Sequence, residues 1–285
     1  MKVIDMQATI MSKDKGGFVR DPKLVADLQK YFGSKDSPYR SEEEIIGDFR
    51  ASGVRAVIFS GTWKSLGWND FEEIRGWHNY IGELKAKYPD VVLGGWPALD
   101  PGTGYKGLKE LERCITELKL FGVAACGALT GVPVNDKLWY PFYDLCSELK
   151  VPVKLWVGHL AMGGRGVHLY YENPIPHVDD VAAEFPDLTI ICAHCPWPFH
   201  NEMTSVLINK PNVYNEVHGT SPKYFPAEFK REINTRIQDK IMFGTDYPLF
   251  TYERMLRDWE GENFKPAVLQ KVYHQNAARV LGISS

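Results

Sequence analysis

Short apolar runs alternate with amphipathic stretches along the whole chain. Runs at 2–5, 54–60 (VRAVIFS), 91–96 (VVLGGW), 122–128, 151–157, 188–194, 212–217 and 240–245 have strand length and are bounded by turn residues, which predicts eight mostly buried strands. Between them apolar residues recur at helical spacing. Ile45, Ile46 and Phe49 follow Ser41, and Ser41 with Glu44 has the spacing of a capping box. Ile74, Trp77, Ile81 and Leu84 form one face of a helix over 71–88, ended by Pro89-Asp90. Leu108, Leu111, Ile115 and Leu118 do the same over 105–120. Further helices are expected at 136–149, 175–185, 202–208 and 226–235, with two or three closing helices ending at 274–282. Eight strands, each followed by a helix, give an α/β fold of the (β/α)₈ TIM-barrel kind. No internal repeat or long linker interrupts it, so residues 1–285 read as a single domain with extra C-terminal helices. A doubly wound sheet would carry a glycine-rich turn after the first strand, and here that turn reads MQAT. Residues 11–20 read as a loop over the barrel mouth and 161–173 as a second, glycine-rich one.

In such a barrel, chemistry sits at the C-terminal ends of the strands. The stretch IMFGTDYP, 241–248, delivers one carboxylate, Asp246, at such an end. Composition narrows the field further. The chain has 285 residues, 44% hydrophobic and 24% charged, ordinary for a soluble globular protein. A net charge of −3 argues against nucleic acid or an anionic membrane as the main partner. No apolar run reaches the roughly 18 residues that span a bilayer, and the N-terminus lacks the apolar core of a secretory signal. Five scattered cysteines fit reduced thiols and a cytoplasmic location. Cys192 and Cys195 point to opposite faces if they lie on a strand, so they read as core or wall residues rather than a redox pair.

The pieces VIDMQAT, DDVAAEFPDLTIICAHCPWPF, the stretch from NKPNVYNEVHG to GTDYP, and the closing NAARVLG resemble the amidohydrolase superfamily. The similarity covers most of the chain and lies nearest the amidohydrolase-2 branch, which includes aminocarboxymuconate-semialdehyde and resorcylate decarboxylases. The resemblance implies a metal centre at the mouth, held by a His-x-His pair ending strand one, a His ending strand five and an Asp ending strand eight. A His ending strand six binds metal or moves protons. It also implies a homodimer. Asp246 matches the strand-eight Asp and His194 the strand-six His. The His-x-His positions, however, are Gln7 and Thr9, and the strand-five position is Trp156. Gln and Thr are weak neutral oxygen donors and Trp cannot ligate, so the usual zinc-type set is incomplete.

His159, just past strand five, and His218, at the end of strand seven, are placed to converge with His194 and Asp246. They allow two readings: a rebuilt Zn or Mn site with displaced ligands, or a metal-free acid–base cluster, which has a precedent in a lactonase of the wider superfamily. The second is favoured, because His beside a carboxylate already supplies acid and base near neutral pH. Gln7 and Thr9 would line the pocket as hydrogen-bond donors, Trp156 would stack on a planar ring, and Arg165 in the glycine-rich loop would clamp a carboxylate. His78, His168, His177, His200 and His274 read as surface or helix-capping residues. The leading expectation is a hydrolase, or a related enzyme adding water, acting on a small cyclic carboxylated or carbonyl-bearing substrate. The alternatives are a non-oxidative decarboxylase with a rebuilt metal site, and a catalytically dead barrel kept as a binding or partner subunit.

Overall fold

The structure is a computed structural model and describes residues 2–32, 37–161 and 167–283. Eight parallel strands form the barrel wall: β1 (Val3–Thr9), β2 (Val54–Phe59), β3 (Val92–Trp96), β4 (Ala124–Ala125), β5 (Val153–Trp156), β6 (Ile190–Ala193), β7 (Val213–Val217) and β8 (Ile241–Phe243). They pair in chain order as two arcs, β1–β3 and β4–β8. Parallel bridges between Ala98 and Ala124 and between Ala8 and Tyr247 join the arcs into a ring. Backbone bonds carry each seam: Ala124 N–H to Pro97 O, Thr9 N–H to Tyr247 O and Asp246 N–H to Gln7 O, each 2.8 Å. Closure leaves no sheet edge, and the strands, covered on both faces, are almost wholly buried.

The helices pack where their apolar stripes require. Ser41 caps the helix Glu42–Ala51 with the expected reciprocal box, and that helix lays Ile45, Ile46 and Phe49 on the wall. Asp70 caps Phe71–Lys87 by accepting from two backbone N–H groups. Several expected bounds shift. The fourth strand is only two residues long, because the small-residue stretch around it gives little side-chain packing to extend it. The helix expected from 136 begins at Tyr140; Asp136 instead closes a turn on the Leu138 N–H at 2.9 Å. Pro22–Phe32 forms a helix with no counterpart in the sequence reading, and the loop at 11–20 contains a two-stranded ribbon, Met11–Ser12 with Gly16–Gly17.

One irregularity prepares the site. The register of β1 against β2 slips between Asp5 and Ala8. Such a bulge re-aims backbone groups out of the ladder. The Met6 carbonyl accepts from Trp96 Nε1 at 3.0 Å and from Lys154 Nζ at 2.7 Å instead of from a strand neighbour. All five cysteines are buried free thiols. Among the described residues no helix is long and apolar enough to cross a membrane.

Candidate active site

Period two along a strand sends residues i and i+2 to the same face. On β5 this pairs Lys154 with Trp156, and on β7 it pairs Glu216 with His218. Lys154 and Glu216 are completely buried, and burying two charges is costly unless they are paired and fully hydrogen-bonded. Here they are. Lys154 Nζ lies 2.8 Å from Glu216 Oε1 and donates to Gln7 Oε1 at 2.5 Å and to Met6 O at 2.7 Å. Three acceptors meet the three hydrogens of an ammonium. Burial pushes the lysine down and the Glu216 carboxyl up to about 7, while their attraction opposes both shifts. The three-acceptor seat favours the ion pair.

The same carboxylate orients His218. His218 Nδ1 is 2.7 Å from Glu216 Oε1, so the Nδ1 hydrogen goes to the carboxylate and Nε2 is left facing Asp246 Oδ1 at 3.6 Å. Gln7 Nε2 donates to the same Asp246 oxygen at 3.3 Å. Hydrogen bonds thus run from Lys154 through Glu216 to His218, whose Nε2 faces Asp246 across 3.6 Å, and Gln7 is hydrogen-bonded to both Lys154 and Asp246. Burial raises Asp246 above the usual carboxylate range, opposed by His218. Burial lowers His218 to about 4, against the pull of Asp246. His194 stands edge-on to His218, ring centroids 4.9 Å apart, with Nδ1 3.2 Å from the Cys195 carbonyl. Burial, then the neighbouring His218, lowers it to about 3. Both imidazoles are therefore neutral near pH 7, and Asp246, like Glu216, is shifted toward its protonated form.

His194 and Asp246 both have left-handed backbone, φ 84° and 68°. That region is uncommon for non-glycine residues and concentrates at functional sites. Asp5 anchors the strained turn before Asp246. It accepts from Thr245 Oγ1 at 2.6 Å, Tyr252 OH at 2.9 Å and the backbone N–H groups of Gln7 and Thr245. Burial raises Asp5 to about 6 against these bonds.

Gln7, His194, His218 and Asp246 form the polar end of a cavity of about 80 Å³. Its walls are apolar: Phe59, Trp63 and Trp156 on one side, Phe18 and Val19 from the mouth loop on another. The Trp156 ring packs 4.7 Å from Phe59 and 5.9 Å from His218, centroid to centroid. A second hollow of about 360 Å³ opens on the far side of His194.

Five expected residues, Asp246, His194, His218, Gln7 and Trp156, meet at one cavity. His159 does not join them; it lines the second hollow, edge-on to Trp197 at 5.1 Å. Thr9 is no pocket donor: its hydroxyl is spent on the Tyr247 carbonyl at 2.6 Å, inside the β1–β8 seam. Arg165 lies outside the described residues. His78 and His200 are buried rather than at the surface, His78 between Thr62 and Glu110 and His200 against Cys195. The sequence reading passed over Lys154, Glu216 and Asp5. The signal was there: each is a charge inside an otherwise apolar strand run, two residues from a site residue.

The donors at the strand-one and strand-five positions do not fit the divalent metal that the resemblance implies. The Gln7 oxygen is committed to Lys154, the Thr9 hydroxyl to Tyr247 and His218 Nδ1 to Glu216. An ammonium sits among them, and Trp156 offers no lone pair. His159, His194, His218 and Asp246 do not gather as a ligand set. Among the described residues, the three-residue group of metal-binding type whose ligand atoms lie within 4.8 Å of one another is His78, Glu110 and Cys114. It lies on the outer helical layer, where Arg113 and Arg75 already hold Glu110 at 2.8 and 3.2 Å.

Known proteins bear on this geometry in three ways. A curated 2-keto-4-carboxy-3-hexenedioate hydratase from Sphingobium sp. is 31% identical over 131 residues, covering 41% of this chain and 38% of the hydratase. An uncharacterized TIM-barrel protein from Bordetella bronchiseptica superposes with a TM-score of 0.79 at 23% identity, over 99% of both chains. A dihydroxybenzoic acid decarboxylase from Polaromonas sp. JS666, solved with manganese and 2-nitroresorcinol, superposes with a TM-score of 0.66 at 17% identity over 99% of this chain and 97% of that one. These structural likenesses confirm the TIM barrel. The family model for amidohydrolases, Amidohydro_2, matches residues 5–283, and the chain is a member of that amidohydrolase family.

Proposed function

We propose that the protein is a lyase that moves a proton to or from carbon on a small, planar, unsaturated carboxylate, with Asp246 as the proton carrier. The observation that carries this reading is the buried Glu216–His218–Asp246 chain ending in an apolar cavity. The hydratase and the decarboxylase among the similar proteins support this class, since each reaction ends with a carbon gaining a proton. They give no support to the hydrolase expected from the sequence.

Decarboxylation is the leading reading. Trp156 gives the cavity an aromatic wall for a flat ring, whose carboxylate would lie in apolar surroundings that disfavour the charge and favour loss of neutral CO₂. Protonated Asp246 delivers its proton to the carbon bearing the carboxylate. The C–C bond breaks, CO₂ leaves, and the ring keeps the new C–H bond. Asp246 is left as a carboxylate, stabilised by the Gln7 amide, and regains a proton from solvent by way of the His218 imidazole. His218 suits this relay because Glu216 fixes its tautomer.

Hydration is the second reading, favoured by the hydratase relative. Ionised Asp246 would then take a proton from water as its oxygen adds to a C=C bond, and His218, receiving that proton at Nε2 from Asp246, would return it to the neighbouring carbon.

The test is a panel of ortho-hydroxybenzoates, 5-carboxyvanillate and 2-keto-4-carboxy-3-hexenedioate, followed by CO₂ release and by ultraviolet absorbance, with simple lactones as the hydrolase control. CO₂ release abolished in Asp246→Asn supports the leading reading. Loss of the C=C absorbance without CO₂ moves the assignment to hydration. Turnover of lactones alone overturns both.

A further inference from the structure

We propose that the Lys154 ammonium is the resident cation of this barrel mouth, standing among the groups that would otherwise hold a divalent ion and keeping such an ion out. The argument begins with its surroundings. Nζ is bonded to Gln7, on the β1 position where the resemblance places a ligand, and sits 5.5 Å from the ring of Trp156, at the corresponding β5 position. Glu216, which neutralises it, also holds His218, so the cation and the proton relay share one carboxylate.

The lysine cannot swing aside. It is fully buried, the rings of Trp96 and Trp156 flank its ammonium, and each hydrogen already has an acceptor. A divalent ion placed between Glu216, His218 and Asp246 would face this fixed positive charge in a low-dielectric interior, where like charges repel strongly. Glu216 would offer it one unpaired oxygen, Oε2, but Glu216 Oε1 and the Gln7 oxygen are already held by the ammonium.

The lysine also decides which way Gln7 presents its amide. With the oxygen on Nζ, the nitrogen must face Asp246, as it does. A hydrogen-bond donor thus reaches Asp246 from a position that would otherwise offer a metal ligand.

The inference concerns metal occupancy and stands whichever reaction the cavity performs, because it is read without substrate. Wild-type protein and Lys154→Met, both checked for folding by circular dichroism, would be titrated with Mn²⁺ and with Zn²⁺, desalted and analysed for metal. Wild type is expected to retain no stoichiometric ion, and Mn²⁺ is expected to leave its His194 and His218 proton resonances unbroadened. Lys154→Met is expected to retain about one ion, lost again when Asp246→Ala is added. A stoichiometric ion in wild type that Asp246→Ala removes overturns the proposal, as does a folded Lys154→Met that still rejects metal. Should Lys154→Met not fold, the neutral pair Lys154→Met with Glu216→Gln takes its place. Uptake that wild type lacks then supports the proposal, and no uptake overturns it.

Discussion

Among the described residues two buried glutamate–histidine pairs stand out, each tied to a basic side chain, and they differ in their surroundings. In the outer helical layer, His78 Nδ1 lies 2.9 Å from Glu110 Oε1, and Arg113 and Arg75 grip the same carboxylate. At the barrel mouth, His218 Nδ1 lies 2.7 Å from Glu216 Oε1, and Lys154 grips that carboxylate. Burial works to raise Glu110, yet His78 and Arg113 hold it down to about 2. Burial wins at Glu216, which rises to about 7. The second difference is where the far imidazole nitrogen points. His78 Nε2 meets the Thr62 hydroxyl at 3.2 Å. His218 Nε2 faces Asp246 and a cavity. What lies beyond the imidazole therefore separates the two pairs: a hydroxyl at the outer one, a carboxylate and a cavity at the barrel mouth.

Asp246→Asn should break the relay most completely, lowering turnover by about 10²–10⁴-fold, the usual worth of a general acid or base, with the fold intact by circular dichroism. Glu216→Gln comes next. It leaves His218 without its orienting carboxylate, and misplacement on that scale costs on the order of 10²-fold in rate; steady-state kinetics would read it. The matched change at the outer pair, Glu110→Gln, should leave turnover within a factor of two. It should still lower stability by about 3–5 kcal/mol, because two guanidiniums and an imidazole lose a buried anion; denaturant unfolding measures that. Equal kinetic losses at both pairs would erase the distinction. Gly244→Ala should cost about 1–3 kcal/mol by overpacking, since a Cβ there would meet Glu216 Oε2 at 2.4 Å.

The smallest effect sharpens the comparison. Burial raises the Asp246 pKa, so its protonated form persists to higher pH than in an ordinary aspartate and is lost as pH rises through the folded value. If Asp246 acts as acid, kcat falls on the alkaline side; if it acts as base, as in hydration, kcat falls on the acid side. His218 and His194, lowered to about 4 and about 3, add no limb between pH 5 and 8, whereas Glu216, raised to about 7, titrates inside that window. A pH–rate profile shows which limb belongs to Asp246, as its disappearance in Asp246→Asn would confirm.

Much of this was legible in the chain. Strand runs such as VRAVIFS and helical stripes such as Ile74–Trp77–Ile81–Leu84 report burial on one face or two, and burial periodicity is a local property. The same holds for Ser41 and Glu44, whose capping box spans three residues. Asp246, His194 and His218 were visible as polar residues closing apolar strands. Thr9 and His159 were misplaced because strand-end position does not reveal which hydroxyl a seam will consume or which side of His194 a loop will face.

The sequence by itself determined the barrel and the set of side chains delivered to its mouth, because period and position along a strand are short-range facts. Only the tertiary structure decided what those side chains do to one another. Lys154, Glu216 and Gln7 are separated by tens to more than a hundred residues in the chain and touch only once the ring closes. Their charges, tautomers and raised or lowered pKa values come from that contact and from the loss of water around it, and no local pattern encodes either.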